Sequence, residues 1–245
     1  MTDVHVVDDV VVRGQRRPAG VPNPFPALGD LVWPAWVVER GEHQPGAFNP
    51  CMAPQMRREW NRDAAAASAV QELEQFAANN PPAAPMSDRG FFAREYGTVL
   101  WELPNGMVVR GPMTWGEHTF QQASAEAEGR SGVELDWTPP APGAVPIGTI
   151  HTHPSGGHIP SGRPNQPGYD DFGVLTYTQD MRAYYGAAST KNAARLYIAA
   201  YPLSQAGQTV VAQINVYDHR NIDDAVTGNY TGPEVNPSAS PCPPQ

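Results

Sequence analysis

Residues 145–154 read VPIGTIHTHP, and this stretch decides both the fold and the chemistry that we predict for the 245-residue chain. Its apolar and β-branched residues predict a strand over 145–153, which a Gly/Pro-rich loop follows. Successive side chains of a strand point to opposite faces, so His151 and His153 project from the same face. Both imidazoles can therefore reach one metal ion.

Zinc suits this pair, because imidazole and carboxylate are good zinc donors and a catalytic zinc site needs only three protein ligands. The third ligand must be a nearby acid, and Asp170 and Asp171 follow the loop. We prefer Asp171, because a helix is predicted to start here with Gly168 as its N-cap, which lets the carboxylate reach the end of the strand. Asp170 and His158 stay open as alternative ligands.

The segments around this strand predict an α/β domain. Two strands at 95–103 and 107–112 flank a Pro-Asn-Gly turn, which indicates a hairpin. A helix is predicted from Asp170 towards Tyr185, and two more strands at 195–201 and 209–217. The order of hairpin, strand, helix, strand and strand is typical of an α/β sandwich with a mixed sheet.

Proline marks the segments between the predicted elements, and 27 prolines concentrate in a few stretches of the chain. Within the first half we predict a short strand at 4–12 and a helix at 61–79. We expect four regions: an irregular Pro-rich N-terminal arm at 1–60, a helix and linker at 61–90, the α/β domain at 91–220 and a Pro-rich C-terminal tail at 221–245.

Composition excludes several function classes. A net charge of −9 argues against a nucleic-acid partner, since proteins that bind phosphate backbones usually carry excess Lys and Arg. No apolar run is long enough to cross a bilayer, and the first residues lack the pattern of a signal peptide. Cys51 and Cys242 lie far apart in Pro-rich segments without the paired spacing of a disulfide framework, so we expect two unpaired thiols.

The motif order resembles the JAMM metalloproteases, also called the MPN+ or JAB family, over roughly residues 91–217. The family signature is a glutamate, then His-x-His-Pro, then Ser-x-x-Asp. Glu95 resembles the glutamate, His151-Thr152-His153-Pro154 the metal-binding strand and Asp171 the aspartate. The resemblance implies a cytidine-deaminase-like mixed-sheet sandwich with helices, a zinc ion held by His151, His153 and Asp171, and Glu95 as the general base. Glu102, on the same hairpin, is an alternative base.

One departure concerns the serine of the signature. Counted forward from His153 it is Ser161, but counted back from Asp171 it would be Gly168. We expect Ser161 to keep the family's role of holding the oxyanion, with an insertion over 162–170. If the insertion displaces Ser161, the loss of this donor would cost about a hundredfold or more in rate.

The resemblance implies a hydrolase of peptide or isopeptide bonds that acts on a protein or peptide. A narrower likeness, to the JAB-like domains of bacterial polymorphic toxins and secreted effectors, implies a cognate immunity or delivery protein as a further partner. The Met1 start and the acidic composition fit a bacterial protein that is either cytoplasmic or exported by a specialised system. Two alternatives stay open: a catalytically impaired JAMM-like module that acts in protein–protein interaction, and an immunity or chaperone protein.

Overall fold

The computed structural model of the chain describes residues 49–80, 94–116, 132–153, 157–166, 170–187, 193–200 and 212–243. The strand predicted at 4–12 and the Gly168 position lie outside these residues. The described part contains one mixed sheet, three α-helices and a short 3-10 helix at Pro50–Met52. In this part of the chain, no helix combines the length and apolarity that crossing a bilayer requires.

Six strands form the sheet, in the order β2-β1-β3-β4-β5-β6. Their bounds are Tyr96–Glu102 for β1, Val108–Trp115 for β2, Val145–His153 for β3, Arg195–Ala200 for β4, Gln213–Tyr217 for β5 and Glu234–Val235 for β6. β3 pairs in parallel with β4, and the other four neighbouring pairs are antiparallel. The predicted mixed sheet, the hairpin and the strand at 145–153 are confirmed.

The helices are α1 at Pro54–Asn79, α2 at Asp171–Tyr184 and α3 at Ile222–Val226. α2 connects β3 to β4. Two parallel strands cannot be joined by a tight turn, so they need a longer crossover connection such as this helix. α1 begins at Pro54, before the predicted start at Asn61. Proline is well suited to the first position of a helix, where its missing N–H would have no intrahelical partner.

The two long helices cover opposite faces of the sheet. This follows from the two apolar clusters, one packed against each helix, to which neighbouring residues of one strand belong in turn. The α1-face cluster includes Ala66, Val70, Leu73, Tyr96, Leu100, Ile150, Tyr197 and Ile214. The α2-face cluster comprises Phe172, Leu175, Ala194, Leu196, Ile198, Tyr217, Ile222 and Ala225. Since Ile150 faces α1, the next residue, His151, faces α2.

The C-terminal segment packs along α1 and is bonded to the 3-10 helix that precedes it. Cys51 and Cys242 form a disulfide with their Cα atoms 5.5 Å apart, so the expectation of two unpaired thiols is wrong. The backbone N–H of Cys242 also donates to the Asn61 side chain at 2.8 Å, and the Trp60 indole donates to the Ser240 carbonyl at 2.7 Å. The sequence does not reveal this pair, because 191 positions separate the two cysteines and only the packed fold brings them together.

Replacing both Cys51 and Cys242 with serine should lower the free energy of unfolding by about 2–5 kcal/mol, because a bond across so long a loop restricts the unfolded chain. Guanidinium denaturation of the non-reduced parent and of the double variant measures this difference. A reducing agent should lower the parent's midpoint to that of the variant and leave the variant's midpoint unchanged. Equal midpoints for the non-reduced parent and the variant would contradict the prediction.

Candidate metal centre

Two histidines at the end of β3 supply one side of the candidate centre. His151 and His153 are buried, with 3% and 8% of their surfaces exposed, and their Nε2 atoms lie 3.1 Å apart. The neighbouring strand makes room for them, because Gly97 of β1 stands directly opposite His151. A Cβ atom at Gly97 would lie 2.7 Å from Leu135 Cδ2 and 3.1 Å from His151 Cβ, so a larger residue there would force the packing to shift.

Asp171, the first residue of α2, supplies the other side. Its Oδ1 lies 2.8 Å from His151 Nε2 and its Oδ2 lies 3.2 Å from His153 Nε2. The helix N-cap is Asp170, whose Oδ1 accepts from the Gly173 N–H at 2.8 Å, so the prediction of Gly168 as the N-cap is wrong. The adjacent acids therefore have different roles: Asp170 caps the helix, and Asp171 faces the histidines.

The hydrogen bond of His153 determines which of its nitrogens is free. Its Nδ1 lies 2.9 Å from the carbonyl oxygen of Gly157, and because a carbonyl can only accept, Nδ1 must carry the proton. In the neutral imidazole, Nε2 then presents a lone pair to an ionised carboxylate oxygen and to the second imidazole. A hydrogen on Nε2 of His151 can be donated to the carboxylate or to His153, whereas a metal cation would accept a lone pair from each of the three groups at once.

The described residues thus contain one buried group that could hold a metal ion: the ligand atoms of His151, His153 and Asp171 all lie within 4.8 Å of one another. Burial opposes ionisation of Asp171, but the charge and hydrogen bonds of the two histidines outweigh it. They hold the pKa of the carboxyl well below its ordinary value. An ionised carboxylate beside two imidazoles is a donor set that zinc accepts.

Ser161 lies beside Asp171 although ten positions separate them in the chain. The Ser161 N–H donates to Asp171 Oδ2 at 2.6 Å, and the Asp171 N–H donates to Ser161 Oγ at 3.2 Å. The residues that follow Ser161 form a turn, in which Arg163 and Gln166 make an isolated antiparallel β-bridge. The insertion therefore does not separate Ser161 from the candidate ligand.

Glu95 precedes β1 on the same face of the sheet as the two histidines. The register pairs Gly97 with His151, and Glu95 lies two residues before Gly97, just outside β1. Residues directly opposite each other on neighbouring strands point to the same face. The Glu95 Oε2 accepts from the backbone N–H of Val133 at 3.3 Å, so the segment that begins at Gly132 lies against this side chain.

Two other sequence candidates lie elsewhere. Glu102 is at the far end of β1, where its carboxylate lies 2.5 Å from Arg58 and 3.7 Å from Arg62. His158 lies in the loop after the histidine strand. It is not part of the candidate metal-binding group, which consists of His151, His153 and Asp171. Burial, followed by the charge of His153, lowers the pKa of the His158 ring.

The contacts that orient the site were missed by the sequence analysis, because most of them are made by backbone atoms. Gly157 acts through its carbonyl and Val133 through its N–H, and neither group depends on the residue type. Gly97 carries a weak signal, since a glycine within a strand often marks a close approach. That approach could not be assigned to the histidine strand without the register.

Asp171→Ala should lose zinc and Asp170→Ala should keep it, because only the first removes a carboxylate that faces the imidazoles. Zinc content after dialysis measures the difference, with about one ion per chain expected in the parent for a site with three ligands. Loss of the N-cap in Asp170→Ala should lower stability by about 1 kcal/mol without emptying the site. Equal zinc retention in both variants would remove Asp171 as a ligand.

Comparison with models of protein families, with curated proteins and with solved structures finds no match to this chain. The assignment of the candidate centre therefore rests on its own geometry and donor chemistry.

Proposed function

We propose that this protein is a JAMM-like zinc hydrolase of peptide or isopeptide bonds. The observation that carries the proposal is the buried convergence of two imidazoles and one carboxylate at the end of β3. Ser161 is hydrogen-bonded to the carboxylate, and Glu95 lies two residues before Gly97, which pairs with His151. These residues match the signature in order along the chain, and the structure holds them at one end of the sheet.

A zinc ion held by His151, His153 and Asp171 would supply a Lewis acid that activates water and polarises the carbonyl group under attack. Glu95 would accept a proton from the attacking water and return it to the leaving amine. Its place near the histidine end of β3, two residues before the Gly97 that pairs with His151, suits this role, since a general base must lie near the nucleophile without replacing a ligand. The Val133 N–H would orient its carboxylate.

Ser161 would donate a hydrogen bond to the oxyanion of the tetrahedral intermediate. Its hydroxyl accepts from the Asp171 N–H, and a serine that accepts one hydrogen bond keeps its own proton to donate. The same contact holds the hydroxyl at a defined place beside a ligand. The insertion after Ser161 thus gives no reason to propose an impaired site.

The substrate would be a protein or peptide with an amide or isopeptide bond. We further propose that the protein is delivered outside the cytoplasm, as a secreted effector or toxin would be, with a cognate immunity or delivery protein as partner. The Cys51–Cys242 disulfide supports this, because disulfides form and persist in oxidising compartments. A JAMM-like interaction module without turnover is the outcome to expect if the zinc-loaded protein cleaves neither class of amide.

Glu95→Gln should stay folded and zinc-loaded while its kcat/KM falls by about a hundredfold or more, since only the proton-transfer group is lost. A fluorescence-quenched peptide library and lysine isopeptide substrates measure turnover. Glu102→Gln is the matched control, because its carboxylate is paired with arginines at the other end of the same strand. If Glu102→Gln loses activity and Glu95→Gln does not, the assignment of the general base is wrong.

Ser161→Ala should keep zinc and lower kcat by about a hundredfold, because one donor to the oxyanion is removed. The matched control is Ser68→Ala, which removes an exposed hydroxyl on α1. Zinc content and kcat are measured on the same preparations. An unchanged kcat would mean that the Ser161 hydroxyl serves only to accept from the Asp171 N–H.

A further inference from the structure

The loop that follows the histidine strand contacts two of the three candidate ligands. Its Gly157 carbonyl accepts from His153 Nδ1 at 2.9 Å, which turns Nε2 of that ring towards the site. At its other end, the Ser161 N–H donates to Asp171 Oδ2 at 2.6 Å. A shift of the described loop residues 157–161 would therefore change the orientation of an imidazole and of a carboxylate together.

One side chain from outside the loop holds it between these two contacts. The hydroxyl of Tyr217, the last residue of β5, donates to the His158 carbonyl at 2.6 Å. Tyr217 is 1% exposed, and its ring belongs to the α2-face cluster together with Phe172, the residue after Asp171. Burial raises the pKa of the Tyr217 hydroxyl and outweighs a backbone hydrogen bond with Gly232 that lowers it. The hydroxyl therefore keeps its proton.

We propose that Tyr217 is a positioning residue of the metal centre. It fixes the loop at 157–161 from two strands away, and so holds the Gly157 carbonyl and the Ser161 N–H in place for His153 and Asp171. The inference rests on the metal-binding part of the proposed function. It requires no particular substrate.

The hydrogen bond from Tyr217 to the His158 carbonyl is short and part-buried, and breaking it removes the carbonyl's contact with the rigid sheet. The groups that orient metal ligands matter for affinity as well, and their removal typically costs 10- to 100-fold in metal binding. Tyr217 acts one contact further out than Gly157, so we expect an effect at the lower end, about 10-fold.

Tyr217→Phe is the decisive variant, because it removes the hydroxyl and keeps the ring in the apolar cluster. The matched control is Tyr230→Phe: Tyr230 packs partly buried against the same cluster, and its hydroxyl hydrogen-bonds the Asn221 side chain. Zinc affinity is measured by competition with a chromophoric chelator. The visible spectrum of the cobalt-substituted protein reports the coordination geometry, and melting of the metal-free protein reports the fold.

Tyr217→Phe should bind zinc about 10-fold more weakly than the parent and change the cobalt spectrum, while Tyr230→Phe matches the parent in both. Parental zinc affinity and cobalt spectrum in Tyr217→Phe would overturn the inference. Equal weakening in both variants would also overturn it, since that reports a general loss of packing.

If metal-free Tyr217→Phe melts well below the parent, amide hydrogen exchange of the metal-free proteins decides. The inference requires that Tyr217→Phe accelerate exchange, relative to the parent, more at 157–161 than in β4. An equal acceleration in both segments would contradict it. A parent that binds neither zinc nor cobalt would instead refute the metal centre, so the two failures are distinguishable.

Discussion

The arrangement depends on one electrostatic constraint: two imidazole nitrogens and a carboxylate, all buried, meet at distances of 2.8–3.2 Å. A neutral His153 whose Nδ1 proton goes to Gly157 has only a lone pair to offer the carboxylate, an arrangement that a bound cation would stabilise. Asp171 also begins α2, where the helix dipole favours a negative charge. The two histidines and the start of the helix thus both favour the ionised carboxylate, which is the form that a metal cation binds.

The scaffold can maintain this constraint because the ligands come from its best-supported elements. β3 is an inner strand, paired on both sides by β1 and β4, and α2 packs on the face that carries the histidines. The opposite face is closed by α1, to which the disulfide and the C-terminal segment are tied. Moving the candidate ligands of β3 and α2 would therefore displace packed elements, whereas the loop at 157–161 is held by a few hydrogen bonds.

Sequence patterns were informative where structure depends on neighbours in the chain. The run at 145–153 carries its own strand signal, and the spacing of His151 and His153 alone places them on one face. Long-range partners were not readable: Cys51 and Cys242 gave no sign of pairing, and the choice between Glu95 and Glu102 stayed open. Both glutamates belong to one hairpin in sequence, and only the register of β1 against β3 shows which end lies beside the histidines.

The segment after Ser161 shows why motif spacing is an imperfect guide to a site. Ser161 and Asp171 bond each other reciprocally although ten positions separate them, and an excursion of any length is compatible with this contact if its two ends meet. Gly162 leaves the contact with a φ of 133°, a conformation that disfavours side chains, and a Cβ there would lie 3.2 Å from Asp170 and Phe172. Further out, the Asn165 N–H donates to Asp223 at 2.6 Å and fixes the turn to α3. Because the excursion is anchored at its base and at its turn, the extra residues lengthen the loop without moving the serine away from the carboxylate.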